Sequence, residues 1–265
     1  HQPLLGNAGL ALAEYPYFDP QTNGLRAEAM LEALARVPAG DVVVLHGCCH
    51  NPTGVDLEFE HWKAIADLAN RNGFLPFVDL AYQGLGNGLH EDVAGLRHLA
   101  SQCEEMVVVS SCSKNFGLYR ERVGAVQILS GSAKVASIVE SQIAAVVRGI
   151  YSMPPAHGAA IVENILSDDA LTAQWVSELN EMRERINTLR AQIAKALTLR
   201  TNRDFGFIES QRGMFSFLGL TPAQVDALRQ QYSIYMVDSS RINIAGVNHS
   251  NLDYFVESTA SVLSD

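Results

Sequence analysis

Between Asp41 and Leu129 short apolar runs rich in valine alternate with stretches of helical period. DVVVLHG, FLPFVDL, MVVVSS and VGAVQIL read as strands, and their near-continuous apolar character suits strands buried on both faces. Leu57 to Asn72 reads as a helix that Gly73 stops, and a second helix is expected near Asp92 to Gln102. This alternation predicts a mostly parallel sheet covered on both faces, an α/β architecture. In such sheets ligands collect beyond the carboxyl ends of the strands, so the residues just after each strand are the first place to look for chemistry.

Further on, Ser132 to Arg148 reads as a helix broken before Pro154 and Pro155. Leu171, Trp175, Leu179, Met182, Ile186, Leu189, Ile193 and Leu197 then recur at helical spacing. They mark one long amphipathic helix, capped by Asp168 or Asp169 and expected to bridge two domains. The last segment offers strands in GMFSFLGL, IYMV and RINIAG and helices starting near Pro222 and Asn248, which suits a smaller α+β domain. Repeats, low-complexity tracts and Gly/Ser-rich linkers are not evident.

Composition narrows the class. With 265 residues, 48% of them hydrophobic, the chain can build a proper core. A net charge of -10 and a pI near 5.2 argue against nucleic-acid or anionic-membrane partners, which need a basic face. The sequence has no bilayer-length apolar run, and its first residues lack signal-peptide character, so a cytoplasmic location is expected. Cys48, Cys49, Cys103 and Cys112 form no CxxC pair and are expected to be reduced core thiols. His46 and His50 could be imagined as metal ligands, but the adjacent Pro52 and the lack of a completing carboxylate or thiolate cluster argue against a metal site.

Three strand ends carry polar groups. In SSCSKNFGLYRERVG, Lys114 leaves an apolar strand, where partial desolvation would make its amine neutral and nucleophilic, suiting a Schiff-base lysine. Ser111, Ser113 and Arg122 around it could supply hydroxyls and a guanidinium fork for a phosphate. Taken alone, a lysine at this position reads first as a strand-end lysine reaching solvent. In VDLAYQG, Asp79 ends a strand with Tyr82 three residues on; an aspartate there can be a turn cap, or a partner for a pyridine nitrogen. In HGCCHNPTG a strand gives way to Asn51, Pro52 and Gly54, ordinarily a turn.

Together HGCCHNPTG, DLAYQG, SSCSKNFGLYRERVGA, YSMPPAHGA, QRGMFSF and SRINIAG, in this order, resemble the class I aminotransferases of the aspartate and aromatic type, enzymes of pyridoxal-phosphate (PLP) fold type I. The resemblance runs the length of the chain. It implies that Asn51 and Tyr82 hydrogen-bond the cofactor's phenolic oxygen and that Asp79 pairs with its ring nitrogen. Lys114 would carry the cofactor as a Schiff base, and Ser111 and Arg122 would hold its phosphate. Arg241 would grip the substrate α-carboxylate alongside Asn51, and Arg148 would reach into a partner subunit's site to meet a side-chain carboxylate, which implies a homodimer with shared active sites. Phe215 and Tyr151 are expected to pack near the substrate.

The implied reaction moves an α-amino group from aspartate or an aromatic amino acid to a 2-oxo acid such as 2-oxoglutarate. The alternatives are another PLP reaction on the same fold or an inert fragment, because fold alone does not settle chemistry. Residues 1–180 are expected to belong to a large PLP-binding domain and residues 181–265 to a small C-terminal one. Family members carry further chain before the position of His1, so a truncated or partial sequence is expected. Substrate preference stays open: Arg148 suits dicarboxylates, whereas Met153 in place of a polar residue points weakly to aromatic substrates.

Overall fold

The computed structural model describes residues 1–264. A short helix α1 (Gln2–Asn7) and an antiparallel ribbon of β1 (Phe18–Asp19) and β2 (Gly24–Leu25) lead into α2 (Ala27–Leu34). The central unit follows as β3 (Val42–His46), α3 (Phe59–Asn72), β4 (Leu75–Leu80), α4 (Ala94–Gln102), β5 (Met106–Ser111) and β6 (Gly124–Leu129). These strands lie in the order β3-β4-β5-β6, parallel except for β6, which runs antiparallel to β5. Three helices come next, α5 (Ala133–Ile150), α6 (His157–Leu166) and the long α7 (Asp169–Thr201). The chain closes with α8 (Gly206–Ser210), β7 (Phe215–Phe217), α9 (Pro222–Tyr232), β8 (Arg241–Asn243) and α10 (Leu252–Ser264).

Local chemistry explains most of the boundaries. Glu58 and His61 form a reciprocal cap at the start of α3, and Gly73 ends it in the left-handed conformation that favours glycine. The Asp168 carboxylate accepts from the amides of Ala170 and Leu171 and so starts α7, as expected from the sequence. Alternate residues of the strands, Val43, Leu45, Val78, Met106 and Val108, pack against Trp62, Ile65, Leu68 and Leu99 of α3 and α4. A second core joins Leu179, Ile186, Leu189, Ile193 and Leu197 of α7 to Val225, Leu228, Ile242 and Val256. Leu179 also reaches the loop after β4, where a Cβ on Gly84 would lie 2.4 Å from its methyl carbon.

The structure departs from the sequence expectation in three places. Only one face of the sheet is fully packed: Val44, Phe77, Val107 and Val109 are half-buried, β6 is largely exposed, and α5 has no buried residue. IYMV is not a strand. Tyr235 is 77% exposed, and the local main chain bonds instead to α9, where Ile234 donates to Leu228 and Met236 accepts from Arg229. GMFSFLGL and RINIAG shrink to the three-residue pair β7 and β8, with Phe217 opposite Arg241. The 180/181 division lies within α7, the helix expected to bridge the two domains.

One close contact tests the packing of α3 on α4. A Cβ on Gly95 would sit 2.2 Å from the indole of Trp62, whereas one on Gly149 of α5 would meet nothing within 4 Å. Gly95→Ala should therefore lower stability by about 1–3 kcal/mol in urea denaturation, while Gly149→Ala is neutral or slightly stabilising. Equal effects of the two substitutions would contradict this packing.

Candidate active site

Parallel pairing of β3 with β4 sets His46 opposite Asp79 in register. The turn after β3 delivers Asn51, the loop after β4 delivers Tyr82, and the segment after β5 delivers Lys114. Together with His1 they line a cleft of about 340 Å³ at the carboxyl ends of the strands. Small-molecule sites are typically about 300–1,000 Å³.

The polar groups in this cleft are held from behind. Asp79 Oδ2 lies 2.7 Å from His1 Nε2. His1 meets the ring of His46 edge-on at 5.1 Å, His46 stacks on His50 at 4.3 Å, and His50 stacks on Tyr17 at 4.1 Å. The main-chain amide of Asn51 donates to His46 Nδ1 at 3.2 Å, which makes Nδ1 the unprotonated nitrogen and leaves Nε2–H to face the cleft. Burial lowers the pKa of His46 despite the opposing pull of Asp79, and burial next to His46 pushes His50 down to about 3. Both rings are therefore neutral packing and orienting groups at neutral pH.

On the other wall Asn51 Nδ2 donates to the Tyr82 hydroxyl at 3.3 Å, and Arg241 Nη1 lies 3.5 Å from Asn51 Oδ1. The Arg241 guanidinium sits 4.9 Å over the Phe215 ring, and Phe215 meets Tyr82 edge-on at 6.5 Å. Lys114 Nζ stands 4.6 Å over the Tyr82 ring. Burial lowers the Lys114 pKa, Asp79 opposes that, and Arg122 adds to it, so the amine is more readily neutral than an exposed lysine. Burial raises the Tyr82 pKa, with the Asn51 hydrogen bond acting against it.

Of the residues singled out in the sequence, Lys114, Asp79, Asn51 and Tyr82 meet in the cleft, and Arg241 stands at its edge. Ser111 bonds to Ser113 at 3.0 Å beside Lys114, and Arg122, bonded to the Tyr119 carbonyl, is near enough to act on the lysine's charge. Arg148 lies outside the cleft, on exposed α5, where it donates to Ser152. Tyr151 is exposed beside it, while Phe215 packs at the site. The His1 contact was not foreseen, because 78 residues separate it from Asp79 and no local spacing announces it.

The structure also corrects the expectation that no carboxylate or thiolate cluster would assemble. His1, His46 and Asp79 come together, as do Cys48, Cys49 and Asp92, each set with ligand atoms within 4.8 Å of one another. Their donors are already engaged: Asn51 fixes the His46 tautomer, and Asp92 accepts four main-chain amides, from Gly84, Gly86, Asn87 and Gly88.

A carboxylate, a hydroxyl paired with an amide and a partly buried lysine, set around one compact cleft, fit a flat pyridine aldehyde. Asp79 suits its ring nitrogen, the Asn51–Tyr82 pair its phenolic oxygen and Lys114 its carbonyl carbon. This fold and site suit an enzyme that carries pyridoxal phosphate on a lysine. The model of the aminotransferase class I and II family matches residues 1–258, and the chain belongs to that family. It is 47% identical over 264 residues to the aspartate aminotransferase of Haemophilus influenzae, covering 99% of this chain and 67% of that protein. It is 45% identical over 266 residues to the aromatic-amino-acid aminotransferase of Pseudomonas aeruginosa, covering 100% of this chain and 66% of that one. The crystal structure of the Burkholderia pseudomallei aromatic-amino-acid aminotransferase, covalently bound to pyridoxal phosphate, matches with a TM-score of 0.98 and 45% identity over 99% of this chain and 66% of its own. The chain thus spans about two thirds of the length of the curated relatives it matches. Its cofactor is pyridoxal phosphate and its reaction class is amino-group transfer, which is favoured over the inert-fragment alternative.

The opposing influences on Lys114 give a direct check. Asp79→Asn should lower the pH at which Lys114 becomes reactive to an amine-acylating reagent, and Arg122→Gln should raise it, as read by mass spectrometry of the labelled peptide. Shifts in the opposite directions would contradict the electrostatics described.

Proposed function

We propose that the chain transfers the α-amino group of an amino acid bearing a second carboxylate or an aromatic ring to a 2-oxo acid such as 2-oxoglutarate. Supporting this most directly is the convergence of Lys114, Asp79, the Asn51–Tyr82 pair and Arg241 on one cleft. When bound, pyridoxal phosphate supplies an electron sink and an aldehyde carbon that trades its oxygen for the amino group.

The chain's own groups then have separable tasks. Lys114, its pKa lowered by burial, holds the cofactor and takes the proton from the substrate Cα. Asp79, fixed by His1, faces the ring nitrogen and keeps a proton there. Asn51 and Tyr82 bind the phenolic oxygen, while Ser111 and Arg122 hold the phosphate as hydroxyl and guanidinium donors. Arg241, with Asn51, orients the substrate through its α-carboxylate so that the C–H bond faces Lys114. Arg148, remote from this chain's own cleft, serves the partner subunit's site, so the functional unit is a homodimer. Residues 1–180 act as the cofactor-binding domain and residues 181–265 as a smaller domain joined to it through α7. Among the described residues no helix is long and apolar enough to cross a membrane. The net charge of -10 supports a protein without nucleic-acid or anionic-membrane partners, and a cytoplasmic location is part of this proposal.

Arg148 favours dicarboxylic substrates by charge, and the curated relatives at similar identity divide between aspartate and aromatic names. Lys114→Ala in the complete enzyme should abolish formation of a 2-oxo acid product while the fold persists by circular dichroism. Near-normal product formation would end this reading. Arg148→Leu should reduce kcat/KM for aspartate by about tenfold or more beyond its effect on phenylalanine, since only aspartate has a side-chain carboxylate to lose. Equal losses for both substrates would remove Arg148 from substrate binding.

A further inference from the structure

We propose that Arg190, on the inner face of α7, is a positioning residue that sets the carboxylate-binding arginine Arg241 through Phe215. This rests on the reading that Arg241 receives the substrate α-carboxylate.

Arg190 is 0% exposed, and among the described residues its hydrogen bonds go to main-chain carbonyls and not to a carboxylate. Nε donates to Gly213 at 3.0 Å and Nη1 to Ile208 at 3.0 Å. Nη2 donates to Arg212, Gly213 and Phe215 at 3.1, 2.7 and 2.5 Å. Burying a guanidinium without a paired acid is costly, and burial pushes its pKa down to about 10, still leaving it charged at neutral pH. Its five N–H donors form a planar fork that gathers several carbonyls of one loop at once, a geometry that a lysine ammonium does not reproduce.

That loop matters because of where it ends. The Phe215 carbonyl is held by Arg190, and its ring lies 4.9 Å under the Arg241 guanidinium and edge-on to Tyr82. On the other side the same loop presses against the turn that carries Asn51. The amide of Arg212 donates to Gly54 at 2.8 Å, a Cβ on Gly54 would lie 2.6 Å from the Phe215 carbonyl oxygen, and one on Gly213 would lie 2.4 Å from Cys49 Cβ. Arg241 thus has two locators, Asn51 at its tip and Phe215 beneath its face, and Arg190 fixes the second against the first. Trp175, on the same helix, donates to the Asn115 carbonyl at 2.8 Å and stacks on Phe116. One rigid helix therefore touches both the loop behind Lys114 and the loop behind Arg241.

The test is carried out on the holoenzyme with Arg190→Lys and Phe215→Leu, using two unreactive probes, succinate and 3-phenylpropanoate, titrated by calorimetry. Each variant should bind both carboxylates at least about tenfold more weakly, the worth of one charge-assisted hydrogen bond. PLP content and the pH dependence of visible absorbance should match the parent, and KM for the amino acid should rise more than kcat falls. A purely structural role would instead lower the melting temperature and the active fraction while leaving probe Kd and KM unchanged, which overturns the proposal. If Arg190→Lys fails to fold, Phe215→Leu decides: probe affinity within twofold of the parent overturns the proposal. A parent enzyme that binds neither probe would instead overturn the reading of Arg241 itself.

Discussion

The parallel register of β3, β4 and β5 is the constraint on which the rest of the site depends. Parallel strands end at the same level, so the first polar residues after each are delivered to one edge of the sheet. His46 pairs with Asp79 across β3 and β4, and Asp79 pairs with Val109 across β4 and β5. From that level Lys114 needs only a short turn after Ser111 to stand over Tyr82. A one-residue slip of β4 would move Asp79 to the packed face, against Leu45 and Val108, where a carboxylate has no partner.

Neutrality behind the site matters as much as the charges in front of it. The rings of Tyr17, His50 and His46 stack behind the cleft, and burial keeps the two imidazoles from adding positive charge near Asp79. Asp56 has a related role nearby, its carboxylate taken by the amides of Cys49 and His50 and its pKa raised by burial to about 6. These contacts hold the Cys48–Gly54 turn, and therefore Asn51, in a fixed place relative to Tyr82. The cleft can then present a carboxylate, an amide and an amine without rebuilding itself when a ligand arrives, which is the condition for efficient proton transfer at a fixed carbon.

Much of this was legible in the chain. The valine runs defined β3 to β6, Gly73 and Asp168 marked helix ends, and polar residues after three strands pointed to Asn51, Asp79 and Lys114. What escaped were features set by long-range geometry. His1 reaches Asp79 across 78 residues, Arg190 looks like one more charge on an amphipathic helix, and IYMV has strand-like composition but lies where α9 supplies the hydrogen-bond partners. The antiparallel direction of β6 was likewise invisible to composition, because direction depends on the connection and not on the residues of the strand.

Central to the proposed function is the assignment of the cofactor to Lys114, the one lysine lining the cleft at the strand ends among the described residues. Protein incubated with pyridoxal phosphate can be reduced with borohydride, digested and mapped by mass spectrometry. The account predicts a pyridoxyl group on Lys114 at one per chain. Label spread over Lys63, Lys134 and Lys195, or concentrated on any of them, would contradict it.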